Sequence, residues 1–314
     1  MDAPLALVAG ASRGLGLLIA TELLRRGHRV AICARDRTQV DAAVERLSAE
    51  GTVSGHVCDV ADREQVARLV AEVEAEHGPV EVLVSVAGVI QVGPAESMTL
   101  EHFEEAIGIM LWGPVHLAWA VLPGMRERGR GRIANICSIG GVVAPPHLLP
   151  YATAKFGAVG FSEGLTAELA GTGITVTTVV PGLMRTGAHE VAEFTGQTGR
   201  EYAWLATSDS LPLISMDAGR AARRIVDGLL RGRTRVTLTP LAQVATRVKG
   251  LAPATTTVLL GVANLLLPDA PADGTQETVP GHVAAKRLGS KVVGALTVLG
   301  SAAARGLNTR TGRR

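Results

Sequence analysis

Through its first 240 residues the chain alternates short apolar runs with helix-length segments, and that alternation leaves few folds open. The apolar runs lie at 5–9, 29–33, 53–57, 82–84, 132–136, 175–180 and 235–238. They are rich in Val, Ile and Leu with little polar alternation, as strands buried on both faces are. Between them the segments 14–26, 38–49, 63–76, 100–128, 151–170 and 218–230 carry helix-compatible sequence. Strands that alternate with helices are joined by right-handed crossovers, which stack helices on both faces of a parallel sheet. The expected fold class is therefore α/β, a doubly wound parallel sheet of about seven strands over residues 1–240.

After Pro240 the pattern changes. Segments 241–251 and 254–267 read as helices, a Pro- and Asp-containing loop follows at 268–274, and 286–305 is a Gly- and Ala-rich apolar segment with basic flanks. Residues 241–314 are expected to form a separate helical C-terminal extension. From residue 231 onward twelve Lys/Arg face three Asp/Glu, whereas the first 230 residues hold nineteen against twenty-six. A basic, apolar extension can make a peripheral contact with an anionic membrane, cover an apolar face of the main domain, or build a dimer contact. Its apolar runs at 257–267 and 288–304 fall short of the roughly 20 residues that cross a bilayer. Its basic residues are spread out and it has no aromatic side chain for stacking, so no nucleic-acid partner is expected. Cys33, Cys58 and Cys137 sit in or beside apolar runs and read as reduced core residues, and no Cys/His spacing suggests a metal. The N-terminus runs straight into a strand without the basic and apolar regions of a secretory signal, so the expected location is cytoplasmic.

Two motifs carry chemistry. Directly after the first strand comes Ala9-Gly10-Ala11-Ser12-Arg13-Gly14-Leu15-Gly16. A glycine turn between strand and helix lets backbone N–H groups and the helix N-terminus approach a pyrophosphate. Further on, Ser138 precedes Tyr151, and Lys155 follows the tyrosine by one helical turn. Residues at i and i+4 share a helix face, so phenol and ammonium point into the same space. An ammonium nearby favours the phenolate, and a phenol tuned downward can serve as a general acid/base between carbonyl and alcohol. The bland reading of such a pair, two solvated side chains on a helix, is set aside only by the company it keeps here.

In this order and spacing, over roughly residues 4–240, the motifs resemble the short-chain dehydrogenase/reductase family, which has a Rossmann-like sheet. Gly10, Gly14 and Gly16 match the family's three turn glycines, and Ser138, Tyr151 and Lys155 match its Ser…Tyr-x-x-x-Lys set. The resemblance implies a nicotinamide cofactor held by Gly10, Ser12, Arg13, Gly14, Leu15 and Gly16 in the turn. Arg35 after the second strand, Asp59 and Val60 after the third, and Ala87 and Gly88 after the fourth extend that site. Tyr151 and Lys155 join it from the long helix, with Pro181, Gly182 and Thr186 after the sixth strand. It further implies that Tyr151 exchanges the proton, that Lys155 lowers its pKa and bonds the nicotinamide ribose, and that Ser138 holds the substrate oxygen. Dimers or tetramers through the 100–128 and 151–170 helices are expected on the same ground.

The chain departs from the family where Asn-Asn-Ala-Gly usually stands, reading Ser85-Val86-Ala87-Gly88, and at Met110, where an Asn usually holds a water for the lysine. A thioether is a weak acceptor and no donor, so it cannot hold that water in the same way. Cofactor choice follows from charge: Arg13 and Arg35 could clamp a 2′-phosphate, which favours NADP, while Asp36 keeps NAD open. The expected pocket mouth contains Ile90, Val92, Val142, Val143, Leu148, Leu149, Leu183, Met184, Phe194, Trp204 and Leu211, and points to a hydrophobic ketone, aldehyde or secondary alcohol. His147 nearby reads as an exposed loop residue within reach of substrate, and His116 as structural. Competing readings are a weakly active or non-catalytic NADP-binding sensor or scaffold, on Ser85, Val86 and Met110, and a membrane-peripheral assembly subunit, on the tail.

Overall fold

The computed structural model describes residues 3–212, 214–271 and 276–308, so part of the 268–274 loop and the last residues of the tail lie outside it. Chain order runs β1 (Leu5–Ala9), α1 (Gly14–Arg25), β2 (Arg29–Ala34), α2 (Arg37–Leu47), β3 (Val53–Val57), α3 (Arg63–His77) and β4 (Val80–Ser85). It continues through α4 (Leu100–Ile107), α5 (Gly113–Arg128), β5 (Gly131–Ile136), α6 (Leu149–Glu168), β6 (Ile174–Val180), α7 (Thr198–Ser210), α8 (Ala218–Leu230) and β7 (Arg235–Thr237). The seven strands form one parallel sheet in the order β7-β6-β5-β4-β1-β2-β3. The direction of winding reverses between β1 and β4, and the crevice beyond the carboxyl ends of those strands is where such sheets bind ligands.

Successive strand residues point to opposite faces, and both faces here are covered. Leu5, Leu7 and Ala9 of β1 pack with α3, α5 and α6 through Leu69, Leu117 and Leu165. Ala6 and Val8 pack the other way, with α1, α2 and α8 through Leu17, Leu47 and Ile225. This two-sided burial is why β1 shows no polar alternation.

Two expected segments break. The 100–128 helix is interrupted by a π-helical turn at Gly108–Trp112 that contains Met110. Pro114 supplies the cause: it has no N–H for the Met110 carbonyl four residues back, and its ring crowds that carbonyl. The 286–305 segment, broken by its glycines, falls across three helices: α11 (Gly281–Leu288), α12 (Lys291–Leu296) and α13 (Val298–Gly306), following α9 (Pro240–Leu251) and α10 (Pro253–Asn264). Gly289 ends α11 in the left-handed conformation, at φ 59°. Helices α11, α12 and α13 pack on α7, and Val279–Pro280 pairs with Glu193–Phe194, whereas α10 buries none of its residues.

Candidate active site

The residues assigned from sequence to catalysis and to cofactor binding, drawn from segments up to 176 positions apart, all line one cavity of about 600 Å³. That volume suits a small-molecule or cofactor site. The cavity opens at the carboxyl ends of β1, β4, β5 and β6, with α7 as its outer wall.

At the dinucleotide half the backbone turns tightly. Gly10 has φ +88°, and a Cβ there would lie 2.4 Å from the Ala87 nitrogen. A Cβ on Gly16 would lie 2.1 Å from the Gly10 carbonyl oxygen. Only glycine brings β1, the turn and α1 this close. Arg13 occupies the α1 N-cap in extended conformation with no capping side chain and no acid in the first turn, so no carboxylate competes there with an anion. Arg13 is pushed below its usual range, first by burial and next by Arg35, and raised in turn by Asp36. A guanidinium whose charge is disfavoured by burial and by a second guanidinium nearby invites an anion. Asp36 is otherwise engaged: it caps α2 by accepting from the Gln39 backbone N–H at 3.1 Å and the Gln39 side-chain amide at 3.2 Å. The cradle therefore fits a dinucleotide, and its charges favour one carrying a phosphate on the adenosine ribose. The tail also reaches this half. The Gly14 N–H donates to the Leu307 carbonyl at 2.8 Å, and the Asn308 side-chain amide donates to the Ser12 carbonyl at 2.9 Å. Nothing in the sequence signalled that contact, because nearly 300 positions of unrelated pattern separate Asn308 from Ser12, 296 in all.

At the reacting half, α6 presents Tyr151 and Lys155 one turn apart, and the turn after β5 presents Ser138. Ser138 Oγ accepts from the Gly140 N–H at 3.0 Å. Lys155 Nζ lies 5.9 Å from the centre of the Tyr151 ring and donates to the Ile136 carbonyl at 2.8 Å. The expectation that the ammonium lowers the phenol is corrected here. Burial pushes Tyr151 up to about 12, with the Ser138 hydroxyl pulling the other way, and burial pushes Lys155 down to about 8. With Nζ turned to a backbone carbonyl, desolvation outweighs any pairing of the two groups. Met110 lines the same cavity, and a Cβ on Gly88 would lie 3.4 Å from its sulfur.

The substrate end departs further from expectation. Ile90, Leu148, Leu183 and Met184 line the cavity, but Val92 and Phe194 are fully buried in a separate core under the tail, and Leu149 faces outward. His147 is not an exposed loop residue. It is buried at φ 61°, and its Nδ1 pairs with Glu201 Oε1 at 2.8 Å, while Trp204 Nε1 donates to Glu201 Oε2 at 2.7 Å. This pairing fastens the loop before α6 to α7. His116 is structural, with Nδ1 at 3.1 Å from the Val60 carbonyl and its ring stacked on Trp112. Asp209, which sequence reasoning did not single out, lines the cavity from α7.

Comparisons with known proteins agree with this geometry. The family described as short chain dehydrogenase matches residues 4–194. A putative ketoacyl reductase from Streptomyces coelicolor is 40% identical over 188 residues, 59% of this chain and 72% of that protein. A D-threitol dehydrogenase from Mycolicibacterium smegmatis is 35% identical over 187 residues, again 59% and 72%. The crystal structure of a variant actinorhodin polyketide ketoreductase with NADPH superposes with a TM-score of 0.67 at 32% identity, covering 76% of this chain and 96% of that one. The chain belongs to the short-chain dehydrogenase/reductase family and is with it an NAD(P)-dependent oxidoreductase acting between CH–OH and C=O groups.

Proposed function

We propose that the chain uses NADP to interconvert a carbonyl and a secondary alcohol on a hydrophobic substrate, with Tyr151 as general acid/base. The observation that carries this reading is the meeting of Ser138, Tyr151 and Lys155 with the glycine turn and the Arg13–Arg35 pair around one cavity. NADP supplies the hydride chemistry when bound. Tyr151 gives a proton to the carbonyl oxygen in reduction and takes one from the alcohol in oxidation, while Ser138 holds that oxygen. Lys155, at about 8, is largely ammonium at neutral pH and is available to the cofactor ribose. NADPH in the related ketoreductase supports the choice of cofactor. Residues 1–240 carry the chemistry and 241–314 form an appended extension. Turnover of hydrophobic ketones with NADPH tests this. Tyr151→Phe is expected to lose about 10²–10⁴-fold in kcat while keeping NADPH binding, and undiminished turnover in that variant would refute the proton role.

One observation favours the second reading, a weakly active or non-catalytic NADP-binding sensor or scaffold. Met110, not a hydrogen-bonding side chain, fills the space under Gly88. Met110→Asn separates the two: faster turnover means a handicapped proton relay, and an unchanged rate and pH profile removes Met110 from the chemistry.

The α9–α10 part of the extension lies outside the chemistry. Leu251, Leu265 and Leu266 on and after α9 and α10 are each more than 80% exposed. Between residues 240 and 267 the only charges are Arg247 and Lys249. An apolar hairpin with cations and no acids suits the surface of an anionic bilayer, which supports a peripheral membrane contact for a cytoplasmic protein. The exposed Trp112 of the π turn, Trp119 of α5 and Phe156 of α6 offer apolar surface that supports a homodimer or homotetramer through these helices.

A further inference from the structure

The inner face of α7 carries two carboxylates, and the fold treats them differently. Glu201, Leu205 and Asp209 follow one another at intervals of four, which puts all three on one side of the helix. Glu201 is fully buried and fully served, by His147 Nδ1 and Trp204 Nε1. Asp209 is only 8% exposed, yet among the described residues no hydrogen bond or ion pair reaches its carboxylate. Leu205 beside it lines the cavity, as do Leu148, Leu183 and Val191. A carboxyl buried among such side chains without a partner costs several kcal/mol, on the order of what unpaired buried polar groups cost in general. The cavity is the side from which a partner can come. Asp209 is also close enough to the reacting group that its charge opposes ionisation of the Tyr151 phenol.

We propose that Asp209 is a specificity-determining residue whose carboxyl hydrogen-bonds a second oxygen function, a carbonyl or a hydroxyl, carried by the substrate near the reacting carbon. This rests on the oxidoreductase reading above and narrows its substrate class: hydrophobic along most of its length, but oxygenated twice near the site of reaction. Ser138 and Tyr151 are taken up by the reacting oxygen, so the second oxygen needs a different partner. Burial pushes the Asp209 carboxyl up to about 7. Near neutral pH its protonated form donates to a carbonyl and its ionised form accepts from a hydroxyl.

The test compares ethyl 3-oxohexanoate with 2-octanone as substrates of the full chain with NADPH. The wild type is expected to favour the doubly oxygenated compound. Asp209→Leu should lose about tenfold or more in kcat/KM on it and under about threefold on the simple ketone, the scale of one hydrogen bond to a partly charged group. Asp209→Asn, which keeps size and hydrogen bonding, should retain most of the preference. Equal losses on both compounds, or none, would mean a structural role only and would overturn the inference while leaving the oxidoreductase reading intact. Stronger wild-type preference for a 1-amino-2-ketone would overturn it too, by moving the class to cations. Turnover of neither ketone by a wild type that binds NADPH removes the oxidoreductase reading itself, and the inference with it. Asp209→Asn keeps the test decisive should Asp209→Leu fail to fold.

Discussion

Leu83 and Leu266 are the same side chain with opposite fates. Leu83, in the centre of β4, is 0% exposed, and Leu266, after α10, is 87% exposed. The contrast holds for the regions around them. Apolar residues of the sheet and its covering helices are consumed by two cores, one on each face. Those of the α9–α10 hairpin are left mostly outside: α9 buries only Ala242 and α10 buries none. Burial explains composition in the first region, whereas in the second the composition points outward, since contiguous exposed apolar surface marks an interaction site. The tail is not uniform either: α11 to α13 close over α7, and α11 and α12 share a small core with Phe194 and Tyr202.

The largest expected effect tests that contrast directly. Leu83→Ala should cost about 2–5 kcal/mol of unfolding free energy, the range for leucine truncation in a packed core. Leu266→Ala should stay within about 0.5 kcal/mol. Urea denaturation of both variants measures it. A Leu266→Ala cost as large as that of Leu83→Ala would show the hairpin to be buried in an assembly.

A crossed pair of variants sharpens the division next. Arg35→Asp should reduce the preference for NADPH over NADH by about ten- to a hundredfold, the scale of a hydrogen bond between charged groups. Asp36 cannot simply take over the ribose role, because it caps α2. The same variant should leave flotation on anionic vesicles unchanged. Leu259→Ser combined with Leu266→Ser should do the reverse, with flotation lost and cofactor preference kept. Effects of either variant on both readouts would end the idea that the two regions work separately.

What the sequence made legible follows the same line. Strand positions were readable because burial on both faces leaves a run without polar residues, as Leu5–Ala9 in β1, and the turn glycines because backbone crowding at Gly10 and Gly16 admits nothing larger. Ser138, Tyr151 and Lys155 were readable because their spacing is local to one turn and one helix. Asp209 and the His147–Glu201 pair were not, since their meaning lies in what stands across the cavity or lacks a partner, and no local spacing encodes that. The downward shift expected for Tyr151 failed for a related reason. Proximity along the helix was visible, but the burial that outweighs it was not.

The smallest effect bears on a place where the tail touches the glycine turn. The Leu307 carbonyl takes the Gly14 N–H at the start of α1, the kind of donor a phosphate oxygen would use, and Asn308 holds the tail there through the Ser12 carbonyl. A carbonyl oxygen and a phosphate oxygen cannot share one N–H at full strength, so a phosphate bound at the Gly14 N–H would compete with the tail. Asn308→Ala removes one neutral hydrogen bond, worth about 1 kcal/mol, and should tighten NADPH binding by up to about fivefold in a fluorescence titration. Ala304→Trp should act in the same direction. Ala304 is fully buried against Gly187, where even a single added carbon would lie 2.3 Å from the Ala304 Cβ, so a large side chain must lift α13. Weaker binding in both variants would mean the reverse: that residues 304–308 form a wall of the cofactor site, and that the boundary between body and tail does not separate chemistry from attachment.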